Sequence, residues 1–228
     1  MRIIKKLVSK TLRITTLLIV YFIFLSVTSV FLIRFFNPPF TSFMFWESNF
    51  FQKKIDYNWT PISNMGENIA LSVVATEDSN FCNHIGVDIK EIYKVIRRGE
   101  KRGASTITQQ LAKNLFLWSG RSWSRKAVEL YFTFLIEIII PKRRILEIYL
   151  NTVETSLLTF GVNNSSEKYY KKPLDKLTKE QAIRIALTLP NPKSRSPKKL
   201  KSYLVERISR LKKDVEILKK DDRSSCFL

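Results

Sequence analysis

The sequence predicts a mostly α-helical protein behind a single N-terminal transmembrane helix. Between about Met65 and Pro190, apolar residues recur at the three- and four-residue spacing of amphipathic helices. Glycines are few in this stretch, and it contains no convincing alternating strand or hairpin turn. Ahead of it lies a run of 20 residues without a charge, which is long enough to cross a bilayer as a helix.

Composition limits the chemistry that this chain could perform. Its 228 residues include 39 Lys and Arg, 20 Asp and Glu, one His and two Cys, and the net charge is +19. A single histidine excludes every multi-His metal site and leaves only His84 for a Ser-His-Asp triad. Cys82 and Cys226 are too few for a disulfide scaffold or a four-thiolate zinc site, and the sequence leaves open whether they form a bridge. Any catalysis must therefore depend on carboxylates and cations.

Residues 14–33 are the predicted transmembrane helix, because 20 residues at about 1.5 Å each span a hydrocarbon core of about 30 Å. Residues 1–13 carry five basic side chains and no acidic one, so we expect a cytoplasmic N-terminus with the rest of the chain outside the cytoplasm. A cleaved signal peptide is the alternative. Its apolar region would be shorter, and no A-x-A site follows here.

Residues 34–65 are predicted to form an aromatic juxtamembrane stalk. Eight aromatic residues lie between positions 35 and 51, and Asn37-Pro38-Pro39 stops the preceding helix. We expect these aromatic side chains to lie among lipid headgroups, to pack on the following domain, or to do both.

Residues 193–228 are predicted to form a basic amphipathic tail. The tail has a net charge of +7 and one apolar stripe, which consists of Leu200, Leu204, Ile208, Leu211, Val215 and Leu218. Such a helix could pack on the body or lie on an anionic membrane, and the sequence does not decide between them. The remaining charge divides into +6 over residues 1–34 and +6 over residues 35–190. Because the charge is spread over three segments, we expect no nucleic-acid partner.

Glu77 is the first candidate catalytic residue. Together with Asp78 it ends an apolar helical stretch, just before a polar turn that runs to Gly86. A carboxylate at a helix C-terminus meets the negative end of the dipole, which raises its proton affinity toward that of a general base at neutral pH. The ordinary alternative is a solvated cap.

A second polar stretch covers residues 103–114. Thr106-x-x-Gln109 is a capping box, so a helix is predicted to begin there, and its free backbone N–H groups could bind a phosphate-like anion. Thr106, Gln110 and Lys113 would share one face of that helix. This face could bind sugars and phosphates, or it could simply face water.

A cluster of cations beside a carboxylate follows at Arg121, Arg125, Lys126 and Glu129. The last three are spaced to meet on one helical face. An exposed ion-pair cluster is the alternative. The apolar residues after Glu129 indicate a buried helix, however, and charges on a buried helix usually face a cleft.

These segments resemble glycosyltransferase family 51, the peptidoglycan glycosyltransferases. Glu77–Gly86 fits the family's E-D-x-x-F-x-x-H-x-G, and Gly103–Gln110 matches G-G-S-T-I-T-Q-Q with one Ala for Gly. Arg125–Glu129 matches R-K-x-x-E, and Lys142–Asn151 matches K-x-x-I-L-x-x-Y-L-N. The four motifs occur in the family's order within about residues 66–192. With one anchor and no second large domain, the chain is similar to the monofunctional members.

The resemblance implies a lysozyme-like glycosyltransferase domain over residues 66–192. It also implies polymerisation of lipid II onto a lipid-linked glycan chain, with inversion at the sugar and release of undecaprenyl pyrophosphate. The chain is then expected in the bacterial inner membrane, with its catalytic domain in the periplasm or outside the cell. Other cell-wall synthesis proteins are potential partners.

The family's functional residues fall on positions of this sequence. Glu77 matches the catalytic base and Glu129 the second essential carboxylate, which acts on the pyrophosphate side. Lys113, Arg121 and Lys126 match pyrophosphate contacts, while Ser105 and Gln110 line the same cleft. A Mg²⁺ or another divalent cation at Glu129 is an open option, and no organic cofactor is expected.

The sequence departs from the family at residues 155–161, where T-S-L-L-T-F-G replaces the usual F-G-x-G-I-Y-G. The course of the loop 154–161 is therefore left open. The family's last arginine motif is only loosely suggested by Arg207 or Arg210, and neither is assigned to the site. We expect His84 to be structural, because a lone histidine has no co-ligands.

Three alternatives accompany this interpretation. A bifunctional penicillin-binding protein would need K-T-G and S-x-N motifs, which the sequence lacks, and only 38 residues follow Pro190. A lysozyme-like hydrolase or lytic transglycosylase would need no cationic cluster for a pyrophosphate. A non-enzymatic, membrane-tethered basic module that binds lipid would explain the charge but not four ordered motifs.

Overall fold

The computed structural model describes residues 2–99, 103–120, 122–221 and 223–228. The helices in these ranges are α1 Arg2–Phe35, α2 Ser42–Glu47, α3 Glu67–Glu77, α4 Ile89–Arg97, α5 Ile107–Phe116, α6 Trp123–Ile139, α7 Lys142–Thr152, α8 Val162–Tyr170, α9 Lys179–Ala186 and α10 Ser202–Lys220. Short 3₁₀ turns lie at Ile62–Asn64, Phe81–Asn83 and Leu174–Lys176. The predicted mostly helical class is confirmed.

A small sheet, which the sequence did not predict, joins the stalk to the domain. Its strands are β1 Asp56–Tyr57, β2 Glu154–Ser156 and β3 Thr159–Phe160, in the order β1-β3-β2. β3 pairs parallel with β1 and antiparallel with β2. Strands of two or three residues are too short to show an alternating pattern. The sheet also settles the course of the loop 154–161, which is a tight antiparallel turn.

Helix α3 lies at the centre of the domain. It packs against α9 and α10, while α5 packs against α6 and α7. Consecutive α3 residues from Ile69 to Val74 are buried, so this helix is covered on most sides. The core therefore surrounds the helix whose last residue is Glu77.

The C-terminal tail packs on the body. α10 buries Leu204, Ile208, Leu211, Val215 and Leu218, each of which is at most 4% exposed. Five of the six residues of the predicted stripe thus face the protein, which answers the question that the sequence left open. Chain ends often fray, but the last residues of this chain pack on the body. Phe227 is 1% exposed, and Cys226 forms a disulfide with Cys82.

Helix α1 contains the predicted span and continues to Phe35, just before Asn37-Pro38-Pro39. Residues Ser9–Phe35 are long and apolar enough to cross a membrane. One side of α1 packs on α6, where the Ser26 and Tyr131 hydroxyls lie 2.6 Å apart. At the end of α1, the Arg144 guanidinium donates hydrogen bonds to the carbonyls of Ile33 and Phe36. These contacts join α1 to the rest of the domain.

Part of the aromatic stalk packs on the domain, and part of it stays exposed. Helix α2 packs on α5, and the Phe43 ring lies 6.4 Å from the ring of Phe160. Other aromatic side chains of the stalk stay about half exposed: Phe40, Trp46, Phe50 and Phe51.

Candidate active site

A cleft of about 560 Å³ lies between the end of α3, the polar face of α5, the first turns of α6 and the segment around Pro190. A second cavity of about 410 Å³ adjoins it and extends toward α4 and α10. Both cavities are lined by Thr76, Glu77, Gly103, Ser105 and Arg207. The Glu77 side chain therefore stands where two parts of one long groove meet.

Glu77 is the last residue of α3, and Asp78 caps the helix. Its Oε2 accepts a hydrogen bond from Gln110 Nε2 at 3.0 Å. Its Oε1 is shielded from solvent and accepts no hydrogen bond within the described part of the chain. Burial raises the pKa of Glu77 to about 7, although the Gln110 hydrogen bond and the charges of Arg207 and Arg195 act in the opposite direction. The raised proton affinity that the sequence predicted is present, but burial rather than the helix dipole is its main cause.

Gln110 is itself held in place from behind. The Tyr149 hydroxyl donates to Gln110 Oε1 at 3.0 Å, and the Tyr149 side chain is fully buried. Because the amide oxygen accepts from Tyr149, the amide nitrogen must face Glu77. Gln110 was predicted to line the cleft, and it also orients the carboxylate.

The turn after Glu77 holds the end of α3 against the start of α5 through hydrogen bonds, although α4 lies between these helices in the chain. Asp78 Oδ1 lies 2.8 Å from His84 Nε2, and Asp78 Oδ2 accepts from the backbone N–H of Ile107 at 3.0 Å. The predicted capping box between Thr106 and Gln109 is present. Side chains thus occupy the N–H groups of Ile107 and Gln109, which leaves little of this helix start available to an anion. His84 has the structural role expected of it.

The cations gather further along, on α6 and on the last turn of α5. Arg125 Nη1 lies 3.0 Å from Glu129 Oε2, and Lys126 Nζ bonds the other oxygen, Oε1. Glu129 is 3% exposed and Arg125 8% exposed, so this is not the surface cluster of the alternative interpretation. Lys113 lines the same cleft, and burial and the neighbouring Arg125 lower its pKa. Three cations beside one carboxylate leave this part of the cleft with an excess of positive charge, suited to an anionic group.

Known proteins share this chain's pattern over most of its length. A family model described as "Transglycosylase" matches residues 47–216, which include every site residue named above. The chain belongs to the transglycosylase family. Relatives called "Biosynthetic peptidoglycan transglycosylase" include one from Mannheimia succiniciproducens, 43% identical over 75% of each chain, and one from Marinomonas sp., 41% identical over 88% of this chain and 89% of that one. A third, from Stutzerimonas stutzeri, is 39% identical over 91% and 89% of the two chains.

Membership in this transglycosylase family confirms the lysozyme-like helical fold that the motifs implied. It also makes the chain an enzyme, and so removes the non-enzymatic lipid-binding alternative. The match to the family continues beyond Pro190 into α10, a helix that packs on α3 and α9 and contributes to the wall of the groove.

The structure brings together most of the predicted site residues of this transglycosylase. Glu77, Ser105, Gln110, Lys113, Lys126 and Glu129 line one cleft. Arg121 lies outside the described residues. Three arginines to which the resemblance assigned no role also line the cleft, and only the first of them stood in the predicted cation cluster: Arg125, Arg195 and Arg207. Arg125 stands in the R-K-x-x-E motif, which was the available signal. Arg195 and Arg207 enter the cleft only because the tail folds back on the body.

The possible metal site at Glu129 can be tested against its neighbours. Both Glu129 oxygens already bond cationic side chains, and the described residues contain no group of three His, Cys, Asp or Glu side chains placed to hold a metal ion. Side chains alone therefore do not form a Mg²⁺ site of the usual oxygen-rich kind here. A divalent cation stays a prediction, and the mechanism proposed below uses side-chain charges.

Proposed function

We propose that this transglycosylase is a peptidoglycan glycosyltransferase that polymerises lipid II into glycan strands and releases undecaprenyl pyrophosphate. The observation that carries the proposal is the presence of two different groups in one groove. A largely buried carboxylate with a pKa of about 7 lies at its centre, and a cluster of cations around the buried Glu129 lies toward α6. The first suits removal of a proton from a hydroxyl, and the second suits a departing phosphate group.

Glu77 acts on the acceptor sugar. Its carboxylate takes the proton of the 4-hydroxyl of the acceptor GlcNAc as that oxygen forms a bond to C1 of the lipid-linked MurNAc. The bond between C1 and the phosphate oxygen breaks, and the pyrophosphate leaves with the electron pair. Attack from the face opposite the leaving group inverts the configuration at C1. Gln110 keeps the Glu77 carboxylate turned toward the groove.

The cationic cluster acts on the donor pyrophosphate. Lys113, Arg125 and Lys126 are fixed before the reaction and stabilise the negative charge that develops on the leaving group. Glu129 holds Arg125 and Lys126 side by side, which explains why an enzyme would keep a carboxylate beside an anionic substrate. Arg121, which lies outside the described residues, is proposed to join them. Ser105 lies at the junction of the two cavities, where a sugar would bind.

A polyprenyl substrate requires the groove to stand near the membrane, and the anchor supports this placement. Ser26 contacts Tyr131 nine residues before the end of α1, which is about 13 Å along the helix axis. This contact would place part of α6 below the membrane surface. The exposed Phe134 of α6 would then face lipid, whereas Ile138, which is 77% exposed, stands nearer the membrane surface, because Arg34 at the end of α1 donates to the neighbouring Ile139 carbonyl. Helix α4 presents a similar apolar face with Ile89, Ile96 and Tyr93.

The orientation follows from the charges that flank α1. A basic N-terminus in the cytoplasm puts the groove on the outer face of the bacterial inner membrane, where lipid II is consumed. A reporter fused after Leu228 should then be active outside the cytoplasm. Protein partners among the cell-wall synthesis enzymes stay a prediction, and nothing in the site requires nucleic acid.

A direct assay tests the proposed reaction. Detergent-solubilised full-length protein is supplied with labelled lipid II, and both glycan polymer and undecaprenyl pyrophosphate are measured. We expect both products, in amounts that rise together. A hydrolase or lytic transglycosylase would instead shorten preformed glycan strands and release no undecaprenyl pyrophosphate. That result would overturn the proposal.

A further inference from the structure

A disulfide joins the turn after Glu77 to the last residues of the chain. We call this turn, residues 78–86, the catalytic turn. Cys82 lies in the 3₁₀ turn Phe81–Asn83, five residues after Glu77, and it bonds Cys226, which is 144 residues further along. Both cysteines are partly buried beside the core. The mechanism above does not use this bond, although it closes the chain segment that contains almost the whole groove.

The residues around Cys226 form a small structure of their own, which we call the C-terminal strap, residues 223–228. The backbone N–H groups of Phe227 and Leu228 donate to the Ser224 carbonyl, so the strap ends in a closed turn. The Phe227 side chain is 1% exposed and lies 6.2 Å from the Phe81 ring. Arg143 Nη1 donates to the Leu228 carbonyl at 3.0 Å. Chain ends usually fray, and these contacts keep the strap against the catalytic turn.

The catalytic turn determines where Glu77 stands relative to α5. Phe81, at the start of the bonded 3₁₀ turn, is fully buried, and the Lys142 ammonium lies 4.5 Å from its ring centre. Lys142 Nζ also donates to the His84 carbonyl at 2.8 Å, which fixes the far end of the turn. At the start of the turn, directly after Glu77, Asp78 bonds both His84 and the first N–H of α5. A shift of the turn would therefore move Glu77 away from Gln110.

We propose that the Cys82–Cys226 disulfide is a positioning element for Glu77, so that full transferase activity requires this bond to be formed outside the cytoplasm. The bond acts through the turn and not on the substrate, since neither cysteine lines the groove. Through α10, it also ties the catalytic turn to the helix that carries Arg207 into the groove. The inference rests on the proposed function and orientation.

The chemistry of bond formation is ordinary thiol–disulfide exchange. The thiolate of one cysteine attacks the disulfide of an extracytoplasmic oxidant, and a mixed disulfide forms as one oxidant thiol leaves. The second cysteine then displaces the other oxidant thiol. The protein loses two protons and two electrons in total, and the oxidant is reduced to a dithiol.

The test uses full-length protein in detergent. Alkylation of the purified wild type without reductant, followed by mass analysis, should find Cys82 and Cys226 unmodified and linked. We expect the double variant Cys82→Ala/Cys226→Ala to lose about tenfold in kcat with little change in KM, because a small displacement of a general base mainly affects the chemical step. Reduction of the folded wild type should reproduce this loss, which covers the case in which the double variant does not fold.

Two further measurements distinguish a disulfide that positions Glu77 from one that only stabilises the fold. The midpoint of the pH profile of kcat/KM should fall in the double variant, since a looser turn admits water to the Glu77 carboxylate. Leu174→Ala removes a side chain that is 2% exposed and lies outside the groove, and it should lower the melting temperature without moving that midpoint. Free thiols in the wild type, unchanged kcat and midpoint in the double variant, or the same midpoint shift in Leu174→Ala would each overturn the proposal. No polymer from oxidised wild type would instead refute the proposed function.

Discussion

Tyr149 and Gln110 form a hydrogen bond of 3.0 Å that fixes which end of the Gln110 amide faces the groove. The amide nitrogen is left to donate to Glu77 at 3.0 Å, so a buried tyrosine on α7 determines the orientation of a carboxylate on α3. Glu77 must stay basic and yet be held still. A single hydrogen bond from a neutral donor achieves this with less effect on the pKa than an adjacent cation would have.

Tyr149→Phe tests this arrangement. Loss of the hydroxyl frees the Gln110 amide to rotate, so kcat should fall about fivefold, the value of a typical hydrogen bond of about 1 kcal/mol. Steady-state kinetics with lipid II measure the effect. Tyr170→Phe is the matched control, because the buried Tyr170 hydroxyl has no hydrogen-bond partner in the described structure. Equal losses in both variants would show that the Gln110 contact has no special role.

The pH dependence of the reaction follows from the pKa of Glu77. The base must be ionised to accept a proton, and burial raises its pKa from 4.5 to about 7. Activity should therefore rise about tenfold per pH unit below the midpoint and level off above it. The pH profile of kcat/KM between pH 5 and 9 measures the midpoint in the free enzyme. A midpoint close to 4.5 would contradict the assignment of a desolvated base.

Arg125 and Lys126 should respond differently to loss of charge. The Lys126 side chain is 34% exposed, and Lys126→Gln should lower kcat/KM about a hundredfold while the protein stays folded, because it removes a donor to the leaving group. Arg125 is buried against Glu129, and Arg125→Met should also lower the free energy of unfolding by about 3 kcal/mol, since it leaves Glu129 without one of its two cations.

Lys179→Gln is the control for this pair of variants, because Lys179 pairs with the exposed Glu216 on the surface. Its free energy of unfolding should change by less than about 1 kcal/mol and its activity should not change. If Lys126→Gln behaved like Lys179→Gln, the cationic cluster would not bind the donor.

The apolar face of α6 should matter only in a membrane. Phe134→Asp places a charge on a side chain that is 45% exposed on this helix and lies between the levels of Ser26 and Arg34 on α1, so it should lower the rate in proteoliposomes about tenfold and leave the rate in detergent unchanged. Leu157→Asp is the matched control, since Leu157 is 63% exposed at the turn between β2 and β3. Equal rates for the two variants in proteoliposomes would contradict the proposed depth of α6.

Local patterns predicted the helices and most of the residues that line the cleft. The capping box at Thr106 and the spacing of Arg125, Lys126 and Glu129 each concern residues within one or two turns, and the structure has both. Relations between distant residues could not be predicted in this way. Tyr149 lies 39 residues from Gln110, and Cys226 lies 144 residues from Cys82.

The tail illustrates the same limit. Its apolar stripe suits a protein core and a membrane surface equally well, and only the packing of α10 on α3 and α9 distinguishes them. Arg207 stands next to that stripe, so its place in the groove depended on the unknown packing.

The N-terminus of α5 shows a different limit. Its anion-binding capacity depends on Asp78, 29 residues earlier, which already occupies the Ile107 N–H.

The central claim is that Glu77 removes the proton of the acceptor hydroxyl, and Glu77→Gln tests it most directly. At pH 8 the buried Glu77 is ionised in the folded state at a cost, because its pKa is raised to about 7 from 4.5. The amide avoids this cost, so the variant should melt no lower than the wild type at pH 8, and misfolding is excluded as an explanation. The rate of glycan polymer formation from labelled lipid II should fall about a thousandfold in this folded variant. Polymer formation at the wild-type rate by folded Glu77→Gln would contradict the account.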